Sequence, residues 1–402
     1  MISSFWNFRV FLQPSLVMKL IYLLLFCVAL YEIFLIHATQ PDVHIYYHYD
    51  PKLHKDSSVD LTMVLKGVKV ARRVTVLVKN ILYFQGRLDN GSENCHLQII
   101  SKRLCVDGGN RQDQVPLRLH LIADLDARNE IETIFKNWHP SGISWYMYEM
   151  EKNWPKISLA PYTHPSGKSA LFKLVIPRIL PVNVFRTIVL DTDVLLNADV
   201  AELWDYFELF NDDQAIGCVW EQIYPVSSCE LMRGSRIPAN GMNSGVLLMD
   251  LFKLRKMDWE TIRSIAARRF LLRHQYIWLA DQGILNMVNS SLFYSLPCEW
   301  NVQLCYSPEP LCCPVIWPVG RPNESECLST TTTSHKSGSR GTPNLVKLVH
   351  LNTRPKPEDV PRAELQGNMK TDVGKSQTTD QLVRTFHAVY HTFEDIPLKC
   401  FK

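Results

Sequence analysis

The sequence predicts an α/β protein built on a mostly parallel, doubly wound sheet flanked by helices. Two observations carry this. Strand-like apolar runs alternate with helix-like segments from Val59 to Asp191, the order that winds a parallel sheet. One run, Thr187-Ile188-Val189-Leu190, ends in Asp191-Thr192-Asp193, and open α/β sheets bind ligands beyond the carboxyl ends of their strands. At 402 residues, 46% hydrophobic and 21% charged, the chain is globular and long enough for one large domain or two ordinary ones. A net charge of +3 leaves no electrostatic footprint for nucleic acid.

The elements follow in order. Val59 to Leu65 alternates as a strand and Gly67 supplies a turn. Val74, Leu77, Val78, Ile81 and Leu82 share one helical face, predicting a helix over Val74 to Leu82. Residues 87–114 are polar and glycine-containing, an inserted loop of unusual length. Leu117 to Ala123 is a second strand ending in Asp124. Asn129 to Trp138 reads as a helix and Ile143 to Tyr148 as a third strand. Ser169 to Ile179 resembles a helix that Pro181 stops, and the strand into Asp191 follows. Val246 to Met249 is a buried strand, and Leu254 to His274 a basic helical stretch. Residues 328–344, rich in Ser, Thr and Gly, form a second loop before the short strand Val346 to Val349.

The N-terminus predicts a membrane anchor. Leu20 to Ile36 is apolar except for Glu32; seventeen helical residues reach roughly 26 Å, enough for a thin bilayer. Arg9 and Lys19 precede the run and no acidic residue does, which places the N-terminus in the cytosol. The expected layout is a cytosolic tail at 1–19, a signal-anchor helix at 20–36, a stem at 37–58, a globular domain at 59–394 and a tail at 395–402. A cleaved signal peptide is the alternative, disfavoured because Ile36-His37-Ala38 is a poor cleavage site. The bulk of the chain is then lumenal. Of the eleven cysteines, the ten beyond Cys27 in the anchor become available for disulfides, and the sequons at Asn90, Asn289 and Asn323 for glycosylation.

On a strand, residues i and i+2 point to one face, so Asp191 and Asp193 can converge. Two carboxylates at one point repel, and a hard divalent cation removes the conflict while keeping positions open for phosphate oxygens. A metal-bridged nucleotide diphosphate site is the local reading. Asn243-Ser244-Gly245 precedes the strand at Val246, and Ala280-Asp281-Gln282 precedes Ile284. His350 follows a late strand and suits Mn²⁺ as a nitrogen ligand completing the two carboxylates. Lys356 follows six residues later, where an ammonium can meet a diphosphate as a point charge. Haloacid-dehalogenase-type phosphatases also carry Asp-x-Asp-x-Val after a strand, as in Asp191-Thr192-Asp193-Val194. Their nucleophile lies near the start of the core, however, and a later acidic pair follows it.

The order of these features resembles the first catalytic domain of LARGE-type glycosyltransferases, a branch of glycosyltransferase family 8. The resemblance runs from about Val59 to Phe393, interrupted by the two loops. It includes Lys173-Leu174-Val175 through Leu180-Pro181, Ile188 to Asp193, Ala201-Glu202-Leu203-Trp204, Asn243-Ser244-Gly245-Val246, Lys253 to Glu260, Ala280-Asp281-Gln282 and Leu296 to Leu304. It implies a GT-A nucleotide-diphospho-sugar transferase fold, a mostly parallel, Rossmann-like mixed sheet. It also implies a UDP-sugar donor, with xylose favoured, and a retaining transfer to a glycan on a glycoprotein acceptor in the Golgi lumen. Asp191, Asp193 and His350 are implied to hold Mn²⁺, with Mg²⁺ the alternative ion. Lys356 is implied to meet the diphosphate and Lys173 the donor near the sugar. The loop at Lys66 and Gly67 is implied to approach the nucleotide, and Thr192 belongs with these donor-binding residues. Asn243, Asp281 and Gln282 are implied to line the sugar pocket as the catalytic set, and Cys298 to pair with Cys327.

Three departures stand out. Gly283 replaces the second aspartate usual after Asp-Gln, which predicts a weakened sugar contact or a weakened support for Gln282. The 87–114 insert interrupts the nucleotide half. LARGE-type proteins also carry a second, glucuronic-acid-transferring domain, so this chain is expected not to build an alternating polymer alone. The alternative function is a weakly active or inactive subunit in complex with another Golgi glycosyltransferase.

Overall fold

A computed structural model describes residues 58–89, 95, 114–154, 160–164, 166–222, 241–304, 313–318, 344–362 and 376–401, with Leu23 and the backbone of Tyr46–His48. All but Leu23 belong to one compact unit, His44–Lys402. The expected anchor, most of the stem and most of both inserted loops lie outside the described residues. Among the described residues no helix is long and apolar enough to cross a membrane.

Strands β1 (Tyr46–His48), β2 (Val59–Leu65), β3 (Leu117–Ala123), β4 (Ile143–Glu149) and β5 (Arg186–Leu190) make one half of the main sheet. A short β6 (Val194–Leu196) leaves it, while β7 (Ile216–Trp220), β8 (Met242–Asp250) and β9 (Phe293–Ser295) complete it. The eight strands run in the order β1-β4-β3-β2-β5-β8-β7-β9. The block β4-β3-β2-β5 is parallel, as the strand–helix alternation requires, whereas β8 is antiparallel to both β5 and β7. The sheet is therefore mixed and flanked by helices. The chain winds outward from β2 to β4 and then returns to place β5 on the other side of β2. That reversal opens the crevice in which such sheets bind ligands. Leu61, Met63, Leu65, Leu117, Leu119 and Leu121 are fully buried, each contributing roughly 1.5–3 kcal/mol relative to exposure.

Helix α1 (Val68–Phe84) begins six residues before the expected Val74. Val70 and Ala71 continue the apolar face of Val74, but Lys69, Arg72 and Arg73 crowd the same turns with charge and mask the start of the helix. Contacts hold these turns: Gly67, at φ 80°, presents its N–H to both Asp124 carboxylate oxygens at 2.9 and 3.1 Å. Asp124 also caps α2 (Leu125–Lys136) by accepting from Ala127 N–H, so that helix starts before the expected Asn129. The segment expected as one helix over Ser169–Ile179 is a 3₁₀ helix, Lys168–Val175, followed by the short α3 (Ile176–Ile179). Pro177 lies in the first turn of α3; lacking an N–H, it cannot continue the preceding ladder. Beyond β6 comes α4 (Val200–Trp204). The basic stretch is two helices, α5 (Leu251–Lys256) and α6 (Trp259–His274), parted by Asp258 in the left-handed region at φ 57°. Next comes α7 (Ala280–Leu285).

A second sheet is decisive for the site. β10 (Val302–Gln303) and β13 (Leu348–His350) pair in parallel, and β13 pairs antiparallel with β6. Between them in sequence, β11 (Val315–Ile316) and β12 (Asn344–Leu345) form a separate parallel pair. Two segments expected outside the domain belong to it. Tyr46–His48, in the expected stem, pairs antiparallel with β4 and covers an edge that would otherwise be left open. Past α8 (Thr379–Asp395), the expected tail is bound in: Cys400 is disulfide-bonded to Cys95, and Phe401 is 2% exposed. The expected Cys298–Cys327 pairing is corrected. Cys298 is bonded to Cys313, with Cα atoms 5.8 Å apart, because Cys313 leads directly into the buried β11 beside it.

Candidate functional site

Asp191 leaves the C-terminal end of β5 and Asp193 enters β6. The register of β6 against β13 sets Val194 opposite His350, and Leu351 N–H donates to the Asp193 carbonyl at 2.9 Å. Residues more than 150 positions apart in sequence thereby meet. His350 Nε2 lies 3.7 Å from Asp191 Oδ2 and 3.5 Å from Asp193 Oδ1. One ligand atom from each of the three residues falls within 4.8 Å of the others. Neighbouring donors about an octahedral ion with bonds of about 2.1 Å sit roughly 3 Å apart, so the set fits a hard divalent cation. The imidazole supports the fit: its Nδ1 is engaged by Asn301 Oδ1 at 3.2 Å, leaving Nε2 for the ion.

Asn243-Ser244-Gly245 begins β8 alongside. Asp191 N–H donates to the Gly245 carbonyl at 2.9 Å. The glycine has a steric reason: a Cβ there would lie 2.2 Å from His350 Cε1 and 2.3 Å from Nδ1. The imidazole occupies the space that a side chain would need.

Two ammonium groups neutralise the carboxylates. Lys356 Nζ is 2.5 Å from Asp193 Oδ2 and donates to the Leu351 carbonyl at 2.8 Å. Lys173 Nζ is 2.7 Å from Asp191 Oδ1 and 3.6 Å from Asp281 Oδ2, and donates to the Ser244 carbonyl at 2.8 Å. Burial alone would depress Lys173, but Asp191 and Asp281 hold it above its ordinary value, so it stays charged. Burial would likewise raise Asp193, yet Lys356, His350 and Arg73 hold it well below the usual carboxylate range. Burial pushes Asp281 up against the pull of Lys173, with the Asp191 charge adding to the rise. The buried Asp281 Oδ2 has no hydrogen-bond partner among the described residues.

The expected residues fall into distinct places. Asp191, Thr192, Asp193, Lys173 and Lys356 line a cavity of about 520 Å³ together with Lys66, Arg73 and His164. Gly67 is next to that lining, its N–H bound by Asp124. Asn243 and Asp281 are buried beneath, and Gln282 is partly buried. A larger open depression of about 1360 Å³ lies at the other end of the strands, lined by Asp60, Arg118 and Arg186. It carries no metal-ligand set among the described residues, so size does not select the site.

Three further residues belong here. Arg73 pairs with Glu358, and its Nη1 donates to Thr192 Oγ1 at 3.2 Å. It therefore ties α1 to both the Asp-Thr-Asp turn and the segment bearing Lys356. Setting the start of α1 too late hid it. Glu221 accepts from Asn243 Nδ2 at 3.0 Å and from Gln282 Nε2 at 2.8 Å. The signal for it was the run Ala215 to Trp220, which reads as a strand with an acidic residue at its end. Asn301 bridges Asn243 and His350.

Gly283 does not leave a hole. A Cβ there would lie 2.6 Å from Phe270 Cε2 and 2.9 Å from Leu279 Cβ. The substitution has a packing counterpart, since Phe270 fills the space that a side chain at this position would take. Gly283→Asp is accordingly expected to destabilise the fold by about 1–3 kcal/mol through overpacking, and Phe270→Ala in the same chain to relieve part of that cost. Thermal melts of the single and double variants check this.

A family model described as Glycosyl transferase family 8 matches residues 111–357. The Xylosyl- and glucuronyltransferase LARGE2 of Rattus norvegicus is 41% identical over 255 residues, 62% of this chain and 33% of that one. The Xylosyl- and glucuronyltransferase LARGE1 of Homo sapiens is 34% identical over 259 residues, 63% of this chain and 31% of that one. The chain thus spans about a third of the length of the curated relatives it matches. Mouse xyloside xylosyltransferase 1, solved in its apo form, superposes with a TM-score of 0.47 at 18% identity, covering 73% of this chain and 98% of that one. The stretch matched by the family model runs from just before β3 through the two aspartates, Asn-Ser-Gly, Asp281-Gln282 and His350 to Lys356, and on that match the chain belongs to glycosyltransferase family 8.

Proposed function

We propose that the chain transfers a sugar, with xylose favoured, from a UDP-sugar to a glycan on a secretory-pathway glycoprotein, with retention at the anomeric carbon and dependence on Mn²⁺. The observation that carries this is the cluster of Asp191, Asp193 and the buried His350, whose two carboxylates line one cavity with the ammonium groups of Lys356 and Lys173. A bound divalent cation supplies Lewis-acid neutralisation of the charge that builds on the departing diphosphate. The protein's own groups do the rest. Lys356 moves from Asp193 to the diphosphate and adds a preorganised positive charge, worth a few kcal/mol in a site shielded from water. Lys173, held on three oxygens, keeps Asp191 and Asp281 in place. Asp281 Oδ2, which faces the Lys173 ammonium at 3.6 Å and accepts no hydrogen bond among the described residues, is the oxygen left for a hydroxyl of the donor sugar. Gln282, its amide held in one orientation by Glu221 and Ser244, would face the reacting carbon. The acceptor oxygen forms its bond to that carbon on the face the UDP oxygen leaves, and its proton passes to the leaving phosphate.

The names of the relatives, xylosyl- and glucuronyltransferases, point to xylose and glucuronic acid as donors, and the resemblance to the first LARGE-type catalytic domain favours xylose. A lumenal site is supported by two disulfides, Cys95–Cys400 and Cys298–Cys313, and by the exposed sequon at Asn289. The anchor at 20–36 and a Golgi location complete the reading. The test is a mass-spectrometric screen of the full-length protein with Mn²⁺, a panel of UDP-sugars and a glycan acceptor library. Transfer from UDP-xylose is expected, abolished by chelation. Absence of both transfer and hydrolysis with every UDP-sugar would count against the proposal.

A further inference from the structure

We propose that Glu221 is a positioning residue that dictates, through Asn243 and Asn301, which nitrogen of His350 is left to hold the metal, and that it aims Gln282 at the same time. The proposal rests on the transferase reading above. Glu221 stands just past the C-terminal end of β7 and is 5% exposed. It accepts three N–H groups: Asn243 Nδ2 at 3.0 Å and Gln282 Nε2 at 2.8 Å on Oε2, and the Gln222 backbone at 3.0 Å on Oε1.

An ionised carboxylate can only accept. Asn243 must therefore turn its NH₂ toward Glu221 and its carbonyl oxygen away. That oxygen accepts from Gly245 N–H at 2.9 Å and from Asn301 Nδ2 at 2.9 Å. Asn301 is then left with its own oxygen 3.2 Å from His350 Nδ1. Only a ring protonated at Nδ1 satisfies that oxygen, and with Nδ1 so engaged, Nε2, on the side of Asp191 and Asp193, is the nitrogen left for a metal. The opposite tautomer would require Asn301 to turn its NH₂ to the ring. Asn243 would then face its oxygen to Glu221 and its NH₂ to Gly245 N–H. Both contacts pair like with like in a buried site, where unsatisfied polar groups are costly. Gln282 is fixed by the same carboxylate, with its Oε1 turned back to Ser244 N–H at 3.3 Å. The strand end is braced as well: Gln222 N–H donates to Gln303 Oε1 at 2.9 Å, and Gln222 Nε2 to the Asn301 carbonyl at 3.0 Å. One charge thus sets the direction of every hydrogen bond from Gln282 to His350.

The experiment reads the tautomer directly. Full-length protein labelled with ¹⁵N-histidine and free of metal is examined by long-range ¹H–¹⁵N correlation, the His350 signals being those lost in His350→Asn. The wild type is expected to be protonated at Nδ1. Glu221→Gln cannot accept all three donors in one orientation, and Asn301→Leu cuts the relay while sparing the Glu221–Gln282 bond. Both are expected to give tautomer mixtures and to weaken Mn²⁺ binding in the presence of UDP, followed by electron paramagnetic resonance, roughly 10- to 100-fold. The kcat is expected to fall further in Glu221→Gln, because Gln282 is released too. A variant that merely loosened the fold would lower the melting temperature without moving the tautomer. Wild-type His350 with no proton on Nδ1, or an unchanged Nδ1 signal and Mn²⁺ affinity in both variants, overturns the proposal. The tautomer is read without metal, nucleotide or turnover, so a protein inert toward UDP-sugars would sink the transferase reading and leave this result to be judged separately.

Discussion

Asp193→Asn is expected to abolish metal-dependent UDP binding and to lower sugar transfer by about 10³-fold. The amide keeps the shape of the side chain but removes the charge that faces three cationic or metal-directed groups. Lys356 sits on Asp193 Oδ2, His350 Nε2 lies 3.5 Å from Oδ1, and the Arg73 charge acts on the same carboxylate. Breaking one side of such a buried arrangement leaves positive charge uncompensated, which typically costs 3–5 kcal/mol. The variant is therefore expected to melt earlier as well as to lose activity. Calorimetric titration of UDP with and without Mn²⁺ separates the two effects, because a folded variant that still bound UDP only with metal would show that the charge is dispensable. Lys69→Ala provides the contrast. Its partner Asp359 is 2.7 Å away, but both side chains are substantially exposed, at 74% and 43%. Exposed pairs of this kind contribute little, so neither stability nor binding is expected to change measurably.

Gly245→Ala is the second large effect. One methyl group would collide with the His350 ring, and the Gly245 carbonyl is already bound to Asp191 N–H. The backbone cannot retreat without moving Asp191, so the imidazole must give way. A displacement of about 1 Å at a catalytic centre costs on the order of 10²-fold in rate. The expected signature is specific: Mn²⁺ affinity and turnover fall together, while the far-ultraviolet circular dichroism is unchanged. Retained Mn²⁺ affinity in Gly245→Ala would mean that His350 is not the third ligand.

These two variants also show which parts of the molecule could be read from the chain. β2 and β3 are visible at their observed limits, because apolar alternation ends at Gly67 and Asp124, residues that also start the next helices. Asp191 and Asp193 are legible because they follow an apolar strand, but the turn between β5 and β6, and not the expected shared strand face, brings them together. The reason for Gly245 is not legible, since it depends on a histidine more than 100 residues away that β13 carries into place. Arg73 and Glu358 escape for the same reason: an ion pair across 285 positions leaves no periodic trace. The run Ala215 to Trp220 marks β7 and sets Glu221 at its end, but only the hydrogen bonds of Asn243 and Gln282 give Glu221 a role. The antiparallel placement of β8 is hidden as well, because a fully buried strand reads the same in either direction. The Cys298 partner turns on which cysteine the fold brings to within 6 Å, and spacing does not encode that.

The most direct test of the central claim is anomalous scattering from crystals of the protein grown with Mn²⁺ and UDP. A single manganese peak is predicted about 2.2 Å from one oxygen of Asp191, one of Asp193 and Nε2 of His350, with diphosphate oxygens completing the shell and Lys356 moved onto the diphosphate. A peak away from these three residues, or UDP bound in the cavity with no manganese beside it, would contradict the account.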